Sequence, residues 1–309
     1  MKLAFVFPGQ GSQSVGMMKG YEGLPEVRET FDQASGVFGE DLWKLAADGP
    51  AEKLNLTAYT QPLMLVAGIA VYRAWGASGG ATPAILAGHS LGEYTALVAS
   101  GALTLEDAVP LVRYRAEAMQ KAVPEGVGGM AAILGLADDA VLDVCREAAQ
   151  GGVLEAANFN APSQVVIAGN KDAVQRGADL AKAKGAKRSV LLPMSVPSHC
   201  SLMRPAAESL ATYLSGVSLA APAAPVIQNA DVTSHAESTA IKDALARQLY
   251  SPVRWVETVT HLAGQGVTHL VECGPGKVLA GLNKRIAGDI AQYTLSDAAS
   301  LRDAVAALR

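Results

Sequence analysis

Short apolar runs alternate with helical spacing along the first third of the chain, as a sheet covered by helices demands. Residues 3–7 (LAFVF) predict a strand, 62–75 a buried helix apolar almost all round, and 84–88 (AILAG) a second strand. The helix-like LGEYTALVAS follows at once and stops at Gly101. Thr104 then caps a long helix to about residue 123, with Asp107 at its third position and Pro110 marking an expected kink. Around 124–129 the rhythm changes. A strand over 129–136, a helix over 138–150, strands over 152–159 and 163–169, a helix over 172–184 and a strand over 187–194 follow. This β-α-β-β-α-β order is a ferredoxin-like unit, of a size, about 70 residues, at which small domains fold alone. Beyond it the α/β pattern resumes, with a helix over 201–214, a strand over 225–230 and two helical pieces within 241–264 broken at Ser251-Pro252. A strand over 267–274, a helix over 278–286 and a helical end complete the chain. The pattern therefore predicts one large α/β unit, 1–124 with 198–309, into which a smaller unit, 125–197, is inserted.

Composition narrows the function classes. The 309 residues are 50% hydrophobic and 17% charged, enough for a large core. With 25 basic and 29 acidic residues the net charge is −4, and aromatics are 5%. Such a chain lacks the clustered Lys and Arg and the exposed rings of a general nucleic-acid binder. Cys145, Cys200 and Cys273 are far apart and form no CxxC pair, which argues for a reducing compartment rather than disulfides or structural zinc. The apolar run after Lys2 is too short for a signal-peptide core, and the stretch 63–71 contains Gly68 and ends near Arg73, so it cannot span a bilayer. A cytoplasmic protein without a membrane partner is expected.

Two features carry chemistry. Gly88-His89-Ser90-Leu91-Gly92 matches G-x-S-x-G between a strand and a helix, where a sharp turn holds the serine hydroxyl proud of the sheet at a helix N-terminus. The alternative is a turn whose serine merely caps the helix. A nucleophilic serine needs a base. Of the five histidines, His89 adjoins the serine, His235 lies in a polar run, His261 in a helix and His269 in a strand, whereas His199 lies in a proline-bounded loop at the unit boundary. Its neighbour Cys200 is a weaker nucleophile candidate. Arg115 falls inside the apolar stripe Ala108, Leu111, Val112, Ala116, Met119 and Val123, while Arg113 faces outward with Glu117 four residues on. A guanidinium there either pairs with an anion or lays its stem over the core edge. The glycines of FPGQGSQ (7–13) and GPGKV (274–278) fit neither dinucleotide nor Walker loops, because Ser14 and Val278 stand where those motifs need Gly and Ser/Thr.

Together FVFPGQGSQ (5–13), GHSLGEY (88–94), Arg115 in RYRAEAMQ, SVPSHC (195–200), RQLYSPVRW (247–255) and ECGPGKVL (272–279) resemble the malonyl-CoA:acyl carrier protein transacylases. The six stretches keep the family's order over nearly the whole chain. The resemblance implies an α/β-hydrolase-like parallel-sheet core with the ferredoxin-like insertion. It also implies a Ser90 nucleophile, His199 as base held by the backbone carbonyl of Gln248, and Arg115 gripping a malonyl carboxylate. Backbone N–H groups of Gln10 and Leu91 would form the oxyanion hole, with Asn158 and Asn160 as further substrate contacts. It implies malonyl-CoA as substrate, acyl carrier protein bringing phosphopantetheine as partner, no metal or other cofactor, and a monomer. A serine thioesterase and a polyketide acyltransferase remain the alternative readings of the same elbow. Lys182, Lys184, Lys187 and Arg188, and Lys277, Lys284 and Arg285, form two basic clusters that would suit an anionic CoA or carrier protein, or are plain solvated faces.

Overall fold

The computed structural model describes residues 1–194 and 196–309. Ser195, the first residue of the SVPSHC stretch, lies outside the described residues. The strands are β1 (Leu3–Phe7), β2 (Ile85–Gly88), β3 (Gly128–Leu134), β4 (Leu154–Ala161), β5 (Gln164–Asn170), β6 (Arg188–Leu191), β7 (Val226–Ile227), β8 (His269–Cys273) and β9 (Ala291–Leu295). They form a five-stranded parallel sheet in the order β7-β2-β1-β8-β9 and a four-stranded antiparallel sheet in the order β4-β5-β3-β6. All five residues of β1 are buried, as expected for the centre of a parallel sheet covered on both faces. Phe5 packs edge-on against Tyr72 and Trp75 of the helix Thr57–Ala77, whose buried positions run almost all round. Phe5 and Trp75 are fully buried and each contributes on the order of 1.5–3 kcal/mol, whereas Tyr72 is half-buried.

Two local readings change and a third element forms as expected. The strand expected over 225–230 is only Val226–Ile227, because Gln228 turns the chain at once, accepting a hydrogen bond from the Val232 amide. The C-terminal segment is not helical throughout: β9 precedes the helix Ala298–Ala307 and pairs in parallel with β8. The expected helix runs as Leu105–Ala122 with Pro110 inside it, the Thr104 hydroxyl accepting from the Asp107 amide as the capping pattern predicts.

The small sheet is tied by main chain to the segment that follows Gln248. A bulge in β4 between Ala156 and Asn158 turns this strand toward Val253, which donates to the Ala157 carbonyl (2.8 Å) and accepts from the Phe159 amide (2.9 Å). The GPGK turn is structural. Glu272 at the end of β8 accepts from the amides of Leu279 (3.0 Å) and Ala280 (2.7 Å), so its carboxylate fills the helix N-terminus that a phosphate loop would leave open. Among the described residues no helix is long and apolar enough to cross a membrane.

Candidate active site

β1 and β2 lie side by side with Phe7 opposite Gly88, so the FPGQGSQ loop and the G-x-S-x-G turn emerge together at the carboxyl edge of the sheet. Crevices at this edge are where open α/β sheets bind ligands. The glycines of the turn are required by close approach. A Cβ on Gly88 would come within 1.9 Å of the Gly92 carbonyl carbon, and one on Gly92 within 2.1 Å of the Phe7 oxygen. Ser90 sits in the left-handed region (φ 52°), a strained conformation for a serine. It is held there by Asn229, whose Oδ1 accepts from the Ser90 amide and whose Nδ2 donates to the Gly88 carbonyl, both at 2.7 Å.

His199, also left-handed (φ 61°) and 3% exposed, reaches Ser90 from the return leg of the chain. Its Nδ1 is 2.8 Å from the Gln248 carbonyl, which can only accept, so Nδ1 carries the ring proton and Nε2 is left as acceptor. Nε2 is 2.8 Å from Ser90 Oγ. Burial, with the Arg115 charge adding to it, pushes the imidazole from 6.5 down to about 3, so the ring is neutral.

Arg115 lies in the same pocket, 1% exposed. Its Nη1 donates to Gln61 Oε1 (2.7 Å), and its Nη2 to Gln248 Oε1 (2.8 Å) and to Ser90 Oγ (3.2 Å). All three partners are uncharged, and burial lowers the guanidinium pKa. The ring of Tyr94 lies 5.3 Å beneath the guanidinium. Arg113, by contrast, pairs with Glu117 at the surface.

Ser90, His199, Arg115, Gln10, Leu91, Asn158 and Asn160 all border one cavity of about 180 Å³, roofed by Met130 and Val166 of the small sheet. The side chain of Gln10 is turned aside to Thr57 (3.1 Å), and that of Asn160 bonds to His89 Nε2 (2.7 Å). His89 thus points away from the serine hydroxyl and rests against Trp255. His235 pairs with Asp231, and neither it nor His261 or His269 borders the cavity. Cys200 donates to the Pro197 carbonyl, and burial pushes its thiol up to about 12, so it offers no thiolate. Gln248 does more than lend its carbonyl, since its side chain also contacts Arg115, Ser90 and Glu93. Gln61, Asn229 and Glu93 were not singled out in the sequence, where nothing local distinguishes them.

A serine kept strained at a strand-to-helix turn, hydrogen-bonded to a neutral buried histidine on an α/β core, is the arrangement that serine-dependent acyl transfer uses. The chain belongs to the acyl transferase family: residues 4–295 match the acyl transferase domain. It is 60% identical to a solved acyl-carrier-protein S-malonyltransferase from Burkholderia pseudomallei 1710b, with a TM-score of 0.98 over 99% of this chain and 100% of that one. It is 53% identical to the malonyl CoA-acyl carrier protein transacylase of Salmonella typhimurium strain LT2, over 98% of this chain and 99% of that protein. A malonyl-transacylase solved in complex with a type II PKS acyl-carrier protein is 49% identical, with a TM-score of 0.98 over 99% of this chain and 100% of that one.

Proposed function

We propose that the chain transfers a malonyl group from malonyl-CoA to the phosphopantetheine thiol of acyl carrier protein through a malonyl-Ser90 ester, supplying fatty-acid synthesis. Ser90 Oγ attacks the thioester carbon while its proton passes to His199 Nε2. The tetrahedral adduct collapses with cleavage of the C–S bond, and His199 returns that proton to the departing CoA sulfur. The carrier thiol then attacks the ester, giving its proton to His199 Nε2, which passes it back to Ser90 Oγ as the C–O bond breaks. Backbone N–H groups of Gln10 and Leu91, both at the cavity, are assigned to the oxyanion, where each such donor is typically worth about 3 kcal/mol. The cycle needs no metal or redox cofactor.

The observation that carries this reading is Arg115. A guanidinium beside the nucleophile, buried and bonded among the described residues to neutral oxygens, with the Glu93 carboxylate held behind Gln248 rather than against it, is costly unless a substrate anion completes it. A malonyl carboxylate does so with charge-assisted bonds, whereas a general serine hydrolase has no use for the cation. Asn158 and Asn160, which line the cavity, are assigned as further substrate contacts. The exposed Lys277, Lys284 and Arg285 suit an acidic carrier protein. Three buried free cysteines suit the reducing cytoplasm, and the enzyme is proposed to work as a monomer. Mixing the protein with malonyl-CoA, trapping it quickly and reading peptide masses tests the reading. A malonyl adduct on the Ser90 peptide, discharged faster by carrier protein than by water, is expected; no adduct, or discharge by water alone, overturns it.

A further inference from the structure

Glu93 is wholly buried three residues after Ser90, yet the transfer cycle gives it nothing to do. Its Oε2 accepts two hydrogen bonds, from the Asn229 amide (2.8 Å) and from Gln248 Nε2 (2.9 Å). The other face of the Gln248 carboxamide meets Arg115, Oε1 lying 2.8 Å from Nη2. The nitrogen and oxygen ends of a carboxamide have nearly the same shape, so the surroundings decide which end points where. If this one turned over, two N–H donors would face the guanidinium and the brace on Arg115 would be lost. The Nε2 group needs two acceptors, and it has them in Ser90 O (3.0 Å) and Glu93 Oε2. Ser90 O is already shared with the Glu93 amide (3.1 Å), whereas Glu93 Oε2 faces two N–H donors and so serves as acceptor whether or not the carboxyl carries a proton on its other oxygen.

We propose that Glu93 is a positioning residue that sets malonyl selectivity by fixing the Gln248 carboxamide with its oxygen toward Arg115. This rests on the malonyl reading above. Glu93 does not touch substrate. It holds Gln248, Gln248 holds one edge of the guanidinium, and Gln61 holds another. What matters is an acceptor atom at the position of Oε2, not the charge. The same oxygen also ties down Asn229 and through it the Ser90 amide, an effect common to every acyl group.

Two conservative variants separate reach from charge. Glu93→Asp keeps the charge but withdraws the acceptor by about one bond length, 1.5 Å. Glu93→Gln loses the charge but can set an amide oxygen where Oε2 stands, because both groups bonded to Oε2 are donors. The readout is the ratio of Ser90 acylation rates, as kcat/KM, with malonyl-CoA over acetyl-CoA. A loss common to both substrates cancels from it. Glu93→Asp is expected to lower the ratio about tenfold while Glu93→Gln keeps it within about twofold of wild type. An unchanged ratio in Glu93→Asp, or an equal fall in Glu93→Gln, overturns the proposal. Wild type and Arg115→Ala are run alongside. A wild type without malonyl preference would count against the proposed function, whereas preference that survives in Glu93→Asp counts against Glu93 alone.

Discussion

Arg115 Nη2 and the Ser90 hydroxyl stand 3.2 Å apart, so a buried cation reaches the very atom assigned to carry the acyl group. An acyl group on that oxygen with a carboxylate two carbons away lies within the guanidinium's reach; one without a carboxylate leaves the cation alone. Arg115→Ala is accordingly expected to lower kcat/KM for malonyl-CoA about 100-fold or more, with much less effect on acetyl-CoA. Competition between the two thioesters for Ser90, read by mass, checks this; unchanged selectivity defeats the carboxylate clamp.

His199 ties acidity to stability. Its imidazole takes up a proton near 6.5 when unfolded and only near 3 when folded. As pH falls from 6.5 toward 3, the unfolded state therefore gains a proton the folded state refuses, and stability declines. Glu93, which burial pushes up to about 7, acts in the opposite sense: between 4.5 and 7 the folded state keeps a proton that the unfolded state has lost, so its contribution declines as pH rises. Urea midpoints at pH 7.5 and pH 5 isolate the histidine by difference. Folded His199→Gln is expected to lose less of its midpoint on acidification than wild type does, and an equal loss would count against a buried neutral ring.

The assignment of Gln10 concerns its amide, because its side chain reaches only to Thr57. Gln10→Ala is expected to change kcat by no more than about threefold, whereas Gln10→Pro, which removes the N–H, lowers it by about 10² to 10³. Pre-steady-state acylation of both variants distinguishes the atoms. Loss of activity in the alanine variant alone would transfer the role to the side chain.

Gly88→Ala would put a methyl group 1.9 Å from the carbonyl carbon of Gly92, a clash with backbone rather than with a side chain that can swing away. The elbow has to open, and both thermal stability and acylation are expected to fall, stability by about 3 kcal/mol or more. Melting curves and Ser90 labelling check the two together; a stable, active variant would mean that the turn is looser than described.

The sequence was most informative where structure is local. The runs LAFVF and AILAG fall on β1 and β2, and the glycines around Ser90 mark a turn that no larger residues could make. β9 (AQYTL) escaped because nothing in its own residues demands a strand; pairing with β8 makes it one. At the cavity, Ser90, His199 and Arg115 stood out by a motif, a loop position and a misplaced charge. Asn229 and Glu93 did not, because their contacts cross more than a hundred residues of chain, and a glutamate at the start of a helix passes as an ordinary first-turn acid. Gln248 was noticed for its carbonyl while the work of its side chain stayed invisible.

The main-chain tie between β4 and Val253 gives the cavity a fixed gauge. One jaw is the small sheet with Met130, Asn158 and Val166; the other carries Ser90 and His199, and the segment leaving Gln248 is fastened to the first jaw almost immediately. Swinging the jaws apart would break both backbone bonds at Val253, so opening the gap carries a main-chain cost on top of any loss of packing. The spacing of the two jaws is thus held by peptide groups, and it would survive most side-chain replacement along that seam but not a proline at residue 159 or 253, each of which would remove one of the two donors.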